Sequence, residues 1–420
     1  MFGFFRTRLF NNIMHLTLIQ GVAFILPLMA FPYLVKVLGM DHYGKFIFYQ
    51  LIVQYITLCS DFGFNFLATQ KIAKNQCNLY KVTVIFWTTL WSKTFLISLL
   101  LSVLWAIVFT IDIKFDYILF FMFLPQLIAG VLMPTWLFQG KEEMKILSFA
   151  TIGIRAVNVA LIFLLVKHYN DINTVALIQS LCSFFLVIVV YFYIYKKRWI
   201  GFYYFKYSRI IFFIKSSFPY FISVISVNLY TSFPAFIIGI TLGTQSVAYY
   251  NIANTIRNAM QSLLNPIYQS LFPRINNIYS VNKDAAKKLI KRSLLIVSCL
   301  VFIFSIFVFI FSPLVIQLIT SDKNESIVII LRVLCFVPFL SSICNILGVQ
   351  AMIPFGFQKQ FTLITICAGI LCLAIIYPML IAFGVIGGAY SVLLTELFVL
   401  TFFSCFLLKR GFFKVNKHFG

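Results

Sequence analysis

Apolar runs long enough to cross a membrane recur along almost the whole of this 420-residue chain. A run such as residues 94–109, TFLISLLLSVLWAIVF, is apolar on every side. A helix built from it has no face suited to water, and no two-residue alternation points to a strand. A bilayer core about 30 Å thick takes roughly 20 such residues per helix. With 62% hydrophobic and only 10% charged residues, the chain lies far from soluble proteins, where roughly a quarter of residues are charged. The reading is therefore an all-α polytopic membrane protein, since closed helices satisfy their backbone groups within lipid.

Twelve spans are expected, at residues 14–37, 45–67, 83–109, 117–138, 148–166, 174–195, 217–241, 247–271, 293–320, 327–353, 361–382 and 385–408. The opening MFGFFRTRLFNNIMHL shows no small-residue cleavage site before Lys36 ends a full-length span, so it reads as a retained first helix. Most Lys and Arg fall in alternate loops and at both termini, while the opposite face holds Lys36, Lys45, Lys114, Lys167 and Lys323. That bias places both termini in the cytoplasm. The net charge of +22 sits beside hydrophobic spans, where anionic lipid headgroups are the expected partners, and nucleic acid is not. The nine cysteines include no C-x-x-C and are accompanied by four His, so they read as small buried hydrophobes with no metal site.

All connecting loops are short, which leaves no extramembrane domain for catalysis. Residues 196 to 216 mix cations with aromatics as an interfacial segment does, and they fall at the midpoint of the chain. Six spans lie on each side, which suggests an amino-terminal lobe over residues 1–200, an amphipathic cytoplasmic linker over 201–216 and a carboxy-terminal lobe over 217–420. A shift of 204 residues lays Leu38-Gly39 over Leu242-Gly243. Gln50, Gln54, Thr57, Asp61 and Asn65 occupy one helical face of the second span. The same shift carries them to Asn254, Asn258, Gln261, Asn265 and Gln269. The expectation is two pseudo-symmetric six-helix lobes around a central cavity.

A polar stripe facing lipid is costly, so these faces look at protein or water. Two readings stand side by side. One is an interhelical hydrogen-bond seam, and the other is the wall of a hydrated cavity. Lys93, Arg155 and Arg257 lie inside spans, as do Asp61 and Glu396. They serve either as structural pairs or as a site, while Arg332 is near enough to the outer interface to snorkel. The excess of cations favours an anionic ligand, and Arg grips phosphate through paired hydrogen bonds. Pro27 and Pro32 in the first span, and Pro219 and Pro234 in the seventh, are candidate flexure points.

The segments LVKVLGMDHYGKFIFYQL (34–51), SDFGFNFLATQKIAKNQ (60–76), SSFPYFISVISVNLYTSF (216–233) and SVAYYNIANTIRNAMQSLLNPIYQSLFPRINNIY (246–279) resemble the Wzx-type O-antigen and polysaccharide-unit flippases. Those belong to the multidrug/oligosaccharidyl-lipid/polysaccharide exporter superfamily. The resemblance extends over the whole chain, with D-F-G-F-N at 61–65 its best motif. It implies movement of an undecaprenyl-diphosphate-linked oligosaccharide from the cytoplasmic to the periplasmic leaflet of a Gram-negative inner membrane. The cavity would lie chiefly among helices one, two, seven and eight. An O-antigen polymerase and a chain-length regulator would be partners.

In that frame Lys93, Arg155 and Arg257 would attract the diphosphate, and Gln50, Gln54, Thr57, Asn65, Asn254, Asn258, Gln261, Asn265 and Gln269 would bond the sugars. Asp61 or Glu396 would couple protons or sodium, and no other cofactor is expected. Lipid II flippases usually carry two further spans and early arginines that this chain lacks, and drug exporters favour acidic cavities. A membrane glycan polymerase or glycosyltransferase would need paired catalytic groups in a larger loop, and a non-transporting scaffold would leave the two stripes unexplained.

Overall fold

A computed structural model describes residues 2–110, 115–204, 207–320 and 324–412, with side chains from residue 26 onward. Lys114 and Lys323 lie outside the described residues. The described chain is helical throughout its ordered elements. It divides into an amino-terminal unit, Ile25–Ile225, and a carboxy-terminal unit made of the described residues of Met1–Phe24 and Ser226–Gly420.

The first half runs α1 (Phe2–Asp61), α2 (Phe64–Ala73), α3 (Leu79–Thr110), α4 (Tyr117–Met122), α5 (Leu124–Leu132), α6 (Thr135–Gly140), α7 (Met144–Leu165), α8 (Ile172–Lys196) and α9 (Tyr207–Thr231). The second runs α10 (Phe233–Leu242), α11 (Thr244–Ser262), α12 (Asn265–Val281), α13 (Lys283–Thr320), α14 (Glu325–Leu334), α15 (Val337–Asn345), a π-turn over Ile346–Met352, α16 (Gln358–Phe383) and α17 (Val385–Lys409). Among the described residues, nine helices are long and apolar enough to cross a membrane, or ten when the pair Leu26–Asp61 and Phe64–Ala73, bent by 43°, is taken as one span.

The twelve expected spans map onto this set with several differences, among them a seventh span divided at Ser232 into α9 and α10 and a tenth divided into α14, α15 and the π-turn. The first two run together in α1, joined through Gly39. The fourth is divided into α4, α5 and α6, with Pro125 in the first turn of α5 and Pro134 capping α6. The eighth is divided into α11 and α12, with Pro266 opening α12, and its amide face makes α11 too polar to count by hydropathy alone. Proline removes a helical N–H and fixes φ, so it fits the first turn of a helix that restarts, whereas Pro219, Pro313 and Pro378 are accommodated inside α9, α13 and α16. The expected linker is likewise redistributed. Residues 201–204 are non-helical and tied to α3, where Thr83 Oγ1 accepts from Gly201 N at 2.9 Å and Trp87 Nε1 donates to Gly201 O at 3.0 Å. From Tyr207 the chain is already helix α9, and residues 205 and 206 lie outside the described residues.

Each unit has its own apolar core. In the amino-terminal unit Phe64, Ile72, Phe86, Trp136, Phe138 and Trp199 pack together, and Gly140 lets α6 approach α2, since a Cβ there would stand 2.6 Å from Ile72 Cγ2. The carboxy-terminal core gathers Ile275, Ile290, Val297, Cys372 and Phe403. On α13 one stripe, including Val297, Val301 and Val308, is buried, while Ile303 (68% exposed) and Ile310 (60%) point outward. An apolar face of that kind needs lipid against it, because water would carry a cost of about 25 cal/mol per Å².

The internal repeat is visible in the backbone. Gly39, inside α1, has φ 71° and ψ 171°, and Gly243, between α10 and α11, has φ 85° and ψ 174°. That region is essentially reserved for glycine, so the two positions paired by the 204-residue shift share a rare conformation. Both following helices then break again, after Asp61 and after Ser262. A Cβ at either glycine meets nothing within 4 Å, so only backbone strain opposes alanine. Gly39→Ala and Gly243→Ala are each expected to lose about 1 to 3 kcal/mol, by similar amounts, read as thermal unfolding of the detergent-solubilised protein.

Candidate functional site

The first polar stripe opens onto a cavity inside the amino-terminal unit. Gln50, Gln54, Thr57 and Asp61 of α1 form one wall of a space of about 650 Å³. Their spacing places all four on one face of α1. Opposite them stand Gln126 of α5, Thr151, Arg155 and Asn158 of α7, and Gln179 and Ser183 of α8. The helices come close enough to enclose it at Gly130, where a Cβ would lie 2.6 Å from Thr57 Cγ2. Amides and hydroxyls offer both donors and acceptors, and a single guanidinium adds a fork of N–H groups suited to a phosphate or carboxylate. A neutral, hydroxyl-rich ligand with one anionic feature suits such a wall.

Asn65 continues the stripe beyond the helix break but turns to structure. Its Nδ2 donates to Asp61 Oδ2 at 3.3 Å, and its Oδ1 accepts from Thr135 Oγ1 at 3.2 Å. The break itself is built by Phe62 (φ 38°) and Gly63 (φ 74°). Phe62 stacks on Phe221 of α9 with ring centroids 4.2 Å apart.

Lys93 of α3 is 1% exposed. Its ammonium forms an ion pair with Asp61 and lies 4.3 Å from the centroid of the Trp136 ring. Asp61, which reaches the cavity wall, is thus joined to a buried cation behind it. Lys93 is engaged in a structural pair, whereas Arg155 stands on the cavity wall itself.

The second stripe belongs to the carboxy-terminal unit and is more mixed. Asn254 is 8% exposed, Arg257 4% and Glu396, on α17, 5%. Arg257 Nη2 donates to Asn258 Oδ1 at 2.9 Å, and its charge interacts with Tyr250 and Glu396. The Tyr250 hydroxyl, Asn254 Oδ1 and Arg257 Nε are buried there without hydrogen-bond partners. Gln261 donates to Ser341 Oγ at 3.1 Å, which is an interhelical seam at that position. Asn265 begins α12, and Gln269 is exposed farther along it. Among the described residues no group of three His, Cys, Asp or Glu could hold a metal ion.

Sequence reasoning missed most of the wall opposite α1. Thr151, Arg155 and Asn158 repeat at helical spacing and form a short stripe that could have been found. Gln126 and Gln179 are isolated amides in apolar helices, and nothing in their neighbours distinguishes them.

A family profile described as polysaccharide biosynthesis protein matches residues 9–279, well over half of the chain. The chain belongs to the polysaccharide biosynthesis protein family. Its relatives include a protein of Escherichia coli (strain K12) that bears the name O-antigen transporter. It is 35% identical over 93% of this chain and 94% of its own length. A Shigella dysenteriae protein of the same name is 26% identical over 93% of this chain and 98% of its own.

The Wzx-type resemblance read from the sequence is thereby borne out. Among solved structures the family fold is similar to that of the lipid II flippase MurJ in an inward closed conformation (TM-score 0.72, 12% identity, covering 95% of this chain and 89% of that one). It is also similar to an inward-facing multidrug resistance MATE transporter of the MOP superfamily (TM-score 0.68, 14% identity, 94% and 96%). At those identities the likeness concerns the fold alone.

Proposed function

We propose that this protein flips undecaprenyl-diphosphate-linked oligosaccharide units from the cytoplasmic to the periplasmic leaflet of a bacterial inner membrane, by alternating access. The observation that carries this reading is the cavity of about 650 Å³, whose lining sets amides, hydroxyls, the Asp61 carboxylate and one guanidinium among apolar side chains inside a membrane-spanning unit. Moving a glycan through lipid strips water from many hydroxyls, each costing on the order of 1 to 3 kcal/mol when left unpaired. A wall that both donates and accepts replaces that water, while a polyprenyl tail stays in hydrocarbon. The names of the two relatives support this substrate class.

In this reading Gln50, Gln54, Gln126, Asn158 and Gln179 bond sugar hydroxyls, and Arg155 holds an anionic group of the head. A potential negative inside favours outward movement of that anion by about 2.3 kcal/mol per charge per 100 mV. Coupling to protons or sodium through Asp61 or Glu396, cytoplasmic placement of both termini, and cooperation with a polymerase and a chain-length regulator complete the proposal. The protein is a transporter and not an enzyme.

Arg155→Gln is expected to lower surface polysaccharide at least tenfold in a strain lacking the native gene, because a charge-assisted hydrogen bond is worth about 1.5 to 3 kcal/mol. Arg155→Lys should restore part of it. Wild-type polysaccharide levels with Arg155→Gln, at equal protein abundance, would remove Arg155 from the path.

A further inference from the structure

A second, smaller pocket lies in the amino-terminal unit, away from the amide-lined cavity. It encloses about 330 Å³ among Lys71 of α2, Tyr80 and Lys81 of α3 and Arg209 of α9, with Val84 and Ile85 as an apolar floor. Three cations therefore converge on one space, and no Asp or Glu is among the residues that line it. Like charges held this close repel one another until an anion or water screens them.

Two of the cations are held by aromatic rings. Lys71 Nζ stands 4.7 Å from the centroid of Phe213, and the Arg209 guanidinium 5.4 Å from that of Tyr203. The hydroxyl of Tyr203 is itself buried without a hydrogen-bond partner. Stacked cations lose rotamer freedom in advance, so less ordering remains when they bind.

What surrounds the pocket indicates where its ligand resides. Phe202 is 79% exposed, Tyr204 80% and Phe212 65%, a density of outward rings suited to the headgroup level of a bilayer. This is the face to which the Lys and Arg bias assigns the cytoplasm. A soluble anion would gain nothing from those rings or from the Val84 and Ile85 floor, whereas an ester of phosphate carrying apolar chains would use both. Arg supplies the paired donors that a phosphate accepts, and Lys adds charge. The volume is at the small end of ligand-sized cavities.

We propose that this pocket, formed by Lys71, Lys81 and Arg209, binds the phosphate of an anionic membrane lipid. The favoured source is a phospholipid headgroup of the bilayer, and a prenyl diphosphate shares the same chemistry. The site does not depend on what passes through the larger cavity.

The test uses the full-length protein in neutral detergent, titrated with phosphatidylglycerol or phosphatidylcholine and read by native mass spectrometry. The wild type should prefer phosphatidylglycerol. The double variant Lys71→Gln/Arg209→Gln should bind it roughly thirtyfold more weakly, since each cation near an anionic lipid surface is worth about a factor of five. Lys71→Arg/Arg209→Lys keeps the charge and should bind as the wild type does, which separates loss of the site from loss of the fold. Displacement of phosphatidylglycerol by a short-chain prenyl diphosphate supports a site that reads any lipid-borne phosphate, and resistance to it supports one restricted to phospholipids. Equal phosphatidylglycerol binding by the neutral double variant and the wild type, or displacement by inorganic phosphate at the same concentration, would overturn the proposal.

Discussion

Asp61→Asn is expected to destabilise the amino-terminal unit by about 3 to 5 kcal/mol, because it leaves the Lys93 ammonium buried beside Trp136 without its counter-charge. Lys93 is 1% exposed while the Asp61 side chain retains 27% of its surface, so the two ends of the pair differ in what they lose. Lys93→Gln leaves a carboxylate that can still reach cavity water, and its cost should be the smaller of the two. Combining Asp61→Asn with Lys93→Gln removes both charges and should recover a large part of the loss, as coupled partners do in a double-mutant cycle. Thermal unfolding in detergent reads all three variants. A Lys93 whose main role is to hold a transported diphosphate would behave otherwise. Its neutral substitution would abolish transport and leave the melting temperature unchanged, and the double variant would show no recovery.

That pair shows where sequence reasoning stops. Gln50, Gln54, Thr57 and Asp61 could be placed on one wall because a helix repeats every 3.6 residues, and the cavity has all four on it. The 204-residue repeat was legible for the same local reason, since a Leu-Gly at the end of one span is mirrored by another, and Gly39 and Gly243 share their backbone conformation. Whether Lys93 faces Asp61 or a ligand depends on the rotation of α3 against α1, which no periodicity encodes. Gln126 and Gln179 are single amides whose importance arises only when α5 and α8 bring them to the same space. The helices depart from the expected spans where proline or glycine interrupts an apolar run, because hydropathy sums over a break that the backbone obeys. For the stripe on α11 and α12 periodicity alone leaves wall and seam open, and the contacts decide: Gln261 is engaged with Ser341 and Asn254 is buried, so its polar groups divide between seam and interior.

The D-F-G-F-N segment supplies the second large effect. Gly63 has φ 74°, a left-handed conformation that costs an alanine about 1 kcal/mol or more. A Cβ there would also stand 2.7 Å from Phe221 N and 2.7 Å from Tyr220 Cβ. Both neighbours are fixed to α9, and the nitrogen is backbone, so the helix itself must move. Overpacking of that kind typically adds about 1 to 3 kcal/mol, and Gly63→Ala is expected to lose about 2 to 4 kcal/mol in total. The displacement would pull Phe221 away from the Phe62 ring it stacks on and disturb the end of α1, where Asp61 meets Lys93. At Gly39 no atom lies within 4 Å of the new Cβ, so Gly39→Ala tests backbone strain alone, there in the more restricted region at ψ 171°, whereas Gly63→Ala adds a steric cost to the milder strain of a left-handed turn. Gly63→Ala should therefore lose more stability than the ~1 kcal/mol of the turn alone, read by thermal unfolding in detergent, and lower surface polysaccharide in a strain lacking the native gene. A loss no larger than that of the turn would mean that α9 yields without cost, and that the close approach at Gly63 contributes nothing beyond it.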